Sequence, residues 1–145
     1  MKIATDLYQS QLLAKILPIE SADMFYGTIA PYDYSDRMYD GGIEDIPLPK
    51  SAKKSSILGA DEYDGEVPAW SLAQLMDILP GIIKSGKRMC DWYWFNLNKE
   101  PYQISYGNSL GSSGEWHDMI SSPQRDNLVD ACVEMIKLLK ERDLL

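Results

Sequence analysis

Apolar positions recur at helical spacing in three stretches of the chain. Tyr8, Leu12, Leu13, Ile16 and Leu17 share one side of a predicted helix over residues 6–17. Asp6 is placed to cap it, with Gln9 three residues on, and Pro18 stops it. Leu72, Leu75, Met76 and Leu79 mark a second helix over 71–79. There Ser71 and Gln74 form the Ser-x-x-Gln capping pattern, Trp70 and Leu75 occupy the staple positions, and Pro80-Gly81 ends the run. Leu128, Cys132, Met135, Ile136 and Leu139 define a third helix over 123–141. Ser122 is its expected cap, Pro123 its first residue, and Lys137, Lys140 and Arg142 complement its C-terminus.

Between the second and third helices the period changes to two. Cys90, Trp92 and Trp94 alternate with Met89, Asp91, Tyr93 and Phe95, so 88–97 reads as a strand, apolar on both sides and hence central or covered. Asn98-Lys99-Glu100-Pro101 is a hairpin turn. Tyr102, Ile104 and Tyr106 mark a half-buried partner strand, and 115–120 follows as a third after the Gly/Ser run 108–114. Met24–Ala30 fits a short strand. Over 31–66 no period survives: Pro, Gly, Asp and Tyr alternate irregularly, which predicts a long loop or insertion of the kind that is either mobile or functional. The expected class is α+β: a small antiparallel sheet of about three strands over 88–120, covered by helices 6–17, 71–79 and 123–141, in a single domain spanning 1–145.

Composition narrows the function classes. The net charge of −8 divides as −4, −1 and −3 over residues 1–50, 51–100 and 101–145. With no basic stripe, direct nucleic-acid binding is not expected. No apolar run approaches the length of a membrane span and the first ten residues do not resemble a secretory signal, so a cytoplasmic, membrane-free protein is expected. Cys90 and Cys132 read as two buried thiols in a reducing compartment; a disulfide between them would need a proximity that sequence does not show.

Each candidate chemistry meets a plainer alternative. His117 is the only histidine and has no accompanying nucleophile pattern. It could serve as a general base with Asp91 and Asp118, but a structural or surface role is preferred. The carboxylates of 33–45 and 61–66 lack the ligand spacing of a calcium loop. The glycines at 107, 111 and 114 lack the lysine and following helix of a phosphate loop. No cofactor or metal is expected. Trp92, Trp94, Tyr102, Tyr106 and Trp116 could form a stacking platform; core packing is the preferred reading, and a protein-binding face comes next.

Three blocks carry a resemblance: Gln11–Met24 with Ser21-Ala22-Asp23-Met24, Pro68–Leu72 with Ile78-Leu79-Pro80, and Leu128–Ile136. Together they resemble small proteins of bacteroidete-type gut bacteria, often encoded in phage or mobile-element regions, a family with no assigned activity. The resemblance implies an accessory protein and carries over no residue role.

The expected function is therefore a non-enzymatic protein-interaction or accessory protein with an unidentified protein partner. Tyr32, Tyr34, Tyr39 and Trp116 are the candidate contacts. An enzyme using His117 and an acidic decoy of a nucleic-acid-binding protein are the alternatives. A homo-oligomer would be one way to bury an aromatic face left uncovered by helices.

Overall fold

A computed structural model describes residues 1–29, 32–34, 37–39, 42–43, 46–50, 65–109 and 114–145. The α+β class holds, with two four-stranded antiparallel sheets, one two-stranded sheet and three α-helices among the described residues. The chain divides into two compact units, Ala4–Gln74 and Met1–Ile3 with Leu75–Leu145.

In the amino-terminal unit, α1 (Leu7–Leu13) begins at the Asp6 capping box. Asp6 Oδ1 accepts from the Gln9 backbone at 2.8 Å, and the Asp6 N–H donates to Gln9 Oε1 at 3.2 Å. The helix ends earlier than expected. Residues 14–17 tighten into a turn, with Lys15 and Ile16 donating three residues back, because Pro18 forces Leu17 out of the helical region. Leu13 and Leu17 are buried, whereas Tyr8 is 74% exposed and leaves the predicted stripe.

Strand β1 (Met24–Ile29) is the centre of the first sheet. It pairs on one side with β6 (Gly65–Ala69), from Met24 opposite Ala69 to Thr28 opposite Gly65. It also pairs with β4 (Gly42–Ile43) and β5 (Leu48–Pro49). A hairpin of β2 (Tyr32–Tyr34) and β3 (Arg37–Tyr39) stands as a separate pair. Most of the described residues of 31–66 thus lie in short strands rather than in one irregular segment. They escape periodicity because pieces of two or three residues cannot display an alternation. In addition, Pro49 and Pro68 sit inside β5 and β6, where a strand paired on one side tolerates them.

A buried polar network ties this unit together. The Thr5 N–H donates to the Trp70 carbonyl at 3.0 Å, and the Thr5 hydroxyl accepts from the Trp70 N–H at 3.1 Å while pairing with Ser10 Oγ at 2.7 Å. The Tyr26 hydroxyl donates to the Thr5 carbonyl at 2.8 Å. The Asp23 carboxylate accepts from the Ser71 N–H at 2.8 Å and from the Ser71 hydroxyl at 2.5 Å. Ser71 caps α2 (Leu72–Ile78) as expected, accepting from the Gln74 N–H at 3.2 Å. The reciprocal arm of the predicted box is supplied by Asp23 rather than by the Gln74 side chain.

The carboxy-terminal unit is built on a four-stranded antiparallel sheet in the order β10 (His117–Ser121), β9 (Gln103–Asn108), β8 (Trp92–Asn98), β7 (Ile82–Lys84). Ile83, Ile104, Tyr106 and Ile120 are buried, and helix α3 (Leu128–Glu141) lies against β9. The predicted stripe of α3 is buried from Cys132 to Leu139. Each of its larger apolar side chains contributes about 1.5–3 kcal/mol. Its start differs from expectation. Asn127 is the cap, accepting from the Asp130 N–H at 2.9 Å. Ser122 and Arg125 are instead held by the sheet: Ser122 Oγ accepts from the Ile104 N–H at 3.0 Å, and Arg125 exchanges two backbone bonds with Tyr102. Strand pairing therefore delays the helix by about five residues relative to the Pro123 signal.

The C-terminus of α3 closes in a Schellman motif. Leu144 donates to the Leu139 carbonyl at 2.8 Å and Asp143 to that of Lys140 at 3.2 Å. The residue in the left-handed position is Asp143, with φ of 55°. A carboxylate there bears both the steric cost and an unfavourable charge beside the negative helix end. Asp143→Gly is expected to stabilise the protein by about 1 kcal/mol, seen as a higher urea midpoint with unchanged slope.

Among the described residues no helix is long and apolar enough to cross a membrane.

Candidate functional site

The second sheet has two unlike faces. On one, Tyr106 packs edge-on against Phe95, with ring centroids 5.8 Å apart, and donates its hydroxyl to the Pro80 carbonyl at 2.7 Å. This is the face of Ile83, Ile104 and Ile120. The other is set by register: Ile82, Trp94, Gly107 and Asp118 lie in one row across the four strands, and Lys84 and Trp92 lie in the next. Cross-strand partners project to the same side. No residue of β8 is fully buried, although the strand is paired on both edges. The expectation that this strand is covered on both sides, and that its tryptophans are core, is corrected. Helix α3 lies along β9, while Trp92 and Trp94 remain half-buried and Trp116 is 44% exposed.

Gly107 sets the position of Trp116. A Cβ at 107 would lie 2.8 Å from both Cε2 and Nε1 of Trp116 and would also collide with the His117 carbonyl. The indole therefore lies directly over this glycine, on the side of Trp94. Its Nε1 donates to Asp118 Oδ1 at 2.5 Å, and Asp118 Oδ2 accepts from Ser121 Oγ at 3.2 Å. A bulge between Asp118 and Ile120 brings this carboxylate into the row. At the opposite edge, Lys84 Nζ sits 4.2 Å from the centroid of Trp92, whose Nε1 donates to the Gly86 carbonyl at 3.3 Å. The indole N–H groups of Trp92 and Trp116 are thus held by internal acceptors, and the rings present their apolar surface. Gly107→Ala is expected to cost about 1–3 kcal/mol, because a backbone carbonyl must shift, and to move Trp116 emission to the red as the ring is displaced.

The other candidate groups stand as follows. His117 is exposed at the start of β10. Among the described residues, no hydrogen bond or ion pair joins it to Asp91 or Asp118. Asp91 is engaged by Arg88 at 3.8 Å and, at 3.7 Å, by the thiol of Cys90. Among the described residues no group of three His, Cys, Asp or Glu is placed to hold a metal. The backbones of Tyr32 and Tyr39 face each other across β2 and β3, as do those of Tyr34 and Arg37, while the side chains lie outside the described residues. The carboxylates Asp36, Asp40, Glu44, Asp45, Asp61, Glu62 and Asp64 also lie outside them, as does most of the predicted Gly/Ser loop at 110–113.

The two cysteines differ. Cys132 is buried, but Cys90 is exposed on a short 3₁₀ turn (Met89–Asp91), contrary to the expectation of two buried thiols; both are free. Burial pushes the Cys132 thiol up to about 12 from its ordinary 9.0 and raises the Tyr106 phenol above its ordinary 10.0, with Cys132 adding to the latter. Both groups keep their protons in the folded state while the unfolded chain releases them. Their contribution is complete below pH 9 and is lost as pH rises toward 12. Stability measured by urea unfolding is expected to fall over that alkaline window, and Tyr106→Phe with Cys132→Ala is expected to flatten the fall.

No family model matches the chain, and no curated protein or solved structure matches it.

Proposed function

We propose that this is a non-enzymatic protein-interaction protein whose contact surface is the tryptophan-bearing face of the second sheet. The observation that carries the reading is Trp116, a large aromatic left 44% exposed while its ring is positioned by Gly107 and Asp118. An exposed tryptophan normally costs solvation and mobility. One that is held in place, beside two more on the same face, is what a recognition surface needs, since Trp is a preferred anchor in the centre of interfaces. An accessory role in a phage or mobile-element setting fits the same reading and rests on sequence resemblance alone.

The test is affinity capture from lysate of the source cells with three baits: the intact chain, a Trp94→Ser/Trp116→Ser variant, and a Tyr32→Ser/Tyr34→Ser/Tyr39→Ser variant. A partner retained by the first and third baits but lost by the second supports the reading. Loss only with the tyrosine variant would move the contact to the β2–β3 hairpin, and catalytic turnover by the purified protein would overturn the non-enzymatic assignment.

A second reading has one observation in its favour. Residues 4–74 hold twelve Asp and Glu against five Lys and Arg, nearly the whole net charge. A decoy that occupies a basic, nucleic-acid-binding protein would use this unit. Its capture would weaken steeply with salt and be indifferent to the tryptophan substitutions.

A further inference from the structure

We infer that the occupant of the tryptophan face is a second copy of this chain, packed sheet against sheet about a two-fold axis running along the strands. The inference rests on the reading of that face as an interaction surface and names its partner.

An isologous interface must be complementary to itself. The two edges of this sheet carry opposite charge toward the same end of the strands, Lys84 one row beyond Asp118. Lys84 stands on edge strand β7 opposite Trp92, and Arg88, its side chain 83% exposed, follows in the turn beyond. On the other edge, Asp118 is in row with Trp94 and Gly107. Glu115 and Trp116 precede β10 at the end of the sheet where Lys84 and Trp92 lie. A half-turn about an axis parallel to the strands brings the two faces together and exchanges their edges while preserving level. Lys84 and Arg88 of each copy then face Glu115 and Asp118 of the other, with Trp94 and Trp116 between them. An axis across the strands would set like charge over like. The unit that bears the face is close to neutral, with nine Lys and Arg against ten Asp and Glu, so two copies approach without a large repulsion.

Four strands at the usual spacing and six residues along them make a face about 19 Å by 20 Å. Two such faces cover about 760 Å², below the range of stable interfaces, so a weak, transient association with a dissociation constant in the high micromolar range is expected.

Sedimentation velocity on the intact chain, from low to high micromolar concentration, reads the association directly. The expected result is a reversible monomer–dimer equilibrium. Lys84→Glu/Arg88→Glu and Glu115→Lys/Asp118→Lys are each expected to weaken it by about tenfold or more. An equimolar mixture of the two variants restores it as a heterodimer. Because Asp118 also orients Trp116, the single Glu115→Lys variant is run beside the double one, and thermal unfolding verifies that each variant is folded. A wild-type chain that stays monomeric throughout overturns the inference but leaves the proposed function open to a different protein found by capture. A dimer indifferent to both charge reversals, or variants that fail to restore association on mixing, overturns the placement on this face.

Discussion

Trp70→Ala is expected to destabilise the amino-terminal unit by about 3–5 kcal/mol. Trp70 is fully buried and is among the largest of the fully buried side chains. Its backbone is bonded on both sides to Thr5, and its indole donates to Ser21 Oγ at 3.0 Å, which in turn donates to the Pro18 carbonyl at 2.7 Å. Removing the ring opens a cavity beside Ser21, while the Trp70 backbone stays tied to Thr5, which Ser10 and Tyr26 hold in turn. Trp70→Phe keeps most of the volume and loses one hydrogen bond, so it is expected to cost about 1 kcal/mol more than the loss of ring area alone. Urea unfolding followed by far-ultraviolet circular dichroism checks both values. A Trp70→Ala loss below about 1 kcal/mol would mean that this residue is not the centre of the unit.

Tyr106→Ala should cost the carboxy-terminal unit a similar amount, about 3–5 kcal/mol. The ring is completely buried, meets Phe95 edge-on and anchors the Pro80 carbonyl. Truncation removes the packing and leaves that carbonyl without its donor. Tyr106→Phe separates the two effects, losing only the hydrogen bond at about 1 kcal/mol. The residue also bears on the proposed contact face: Gly107, its neighbour in β9, is the floor beneath Trp116, so Tyr106→Ala is expected to disorder the tryptophan face from behind. Trp116→Ser, by contrast, should change stability by less than about 1 kcal/mol while abolishing association. That contrast separates residues that hold the sheet from residues that use it, and equilibrium unfolding beside a binding readout measures it.

The parts of this structure legible in the sequence are those whose signals are local. Asp6 with Gln9, Ser71 with Gln74, and the apolar stripe from Cys132 to Leu139 placed three helices, because caps and helical spacing act within a few residues. The start of α3 went astray where a long-range contact, Tyr102 with Arg125, overrode the local proline signal. The first sheet was mostly hidden. β4 and β5 are two residues each, and only pairing with β1 makes them strands.

The site was half legible. Alternation correctly put Trp92 and Trp94 on one face, and Trp116 was singled out by its type. Which face α3 would cover is a tertiary fact that no local pattern records, and so the tryptophans read as core. The roles of Lys84 and Gly107 depend on cross-strand register, and nothing in their immediate neighbours marks them.

The proposed function requires the tryptophan face of the second sheet to be open in the free chain and available to a partner. Acrylamide quenching of tryptophan fluorescence in dilute protein tests it most directly, comparing the wild type with Trp116→Phe and Trp70→Phe. The expected result is a strongly quenched, red-shifted component that disappears with Trp116→Phe and is untouched by Trp70→Phe. Emission that is uniformly blue and resists quenching, or a quenched component that survives Trp116→Phe unchanged, would contradict it.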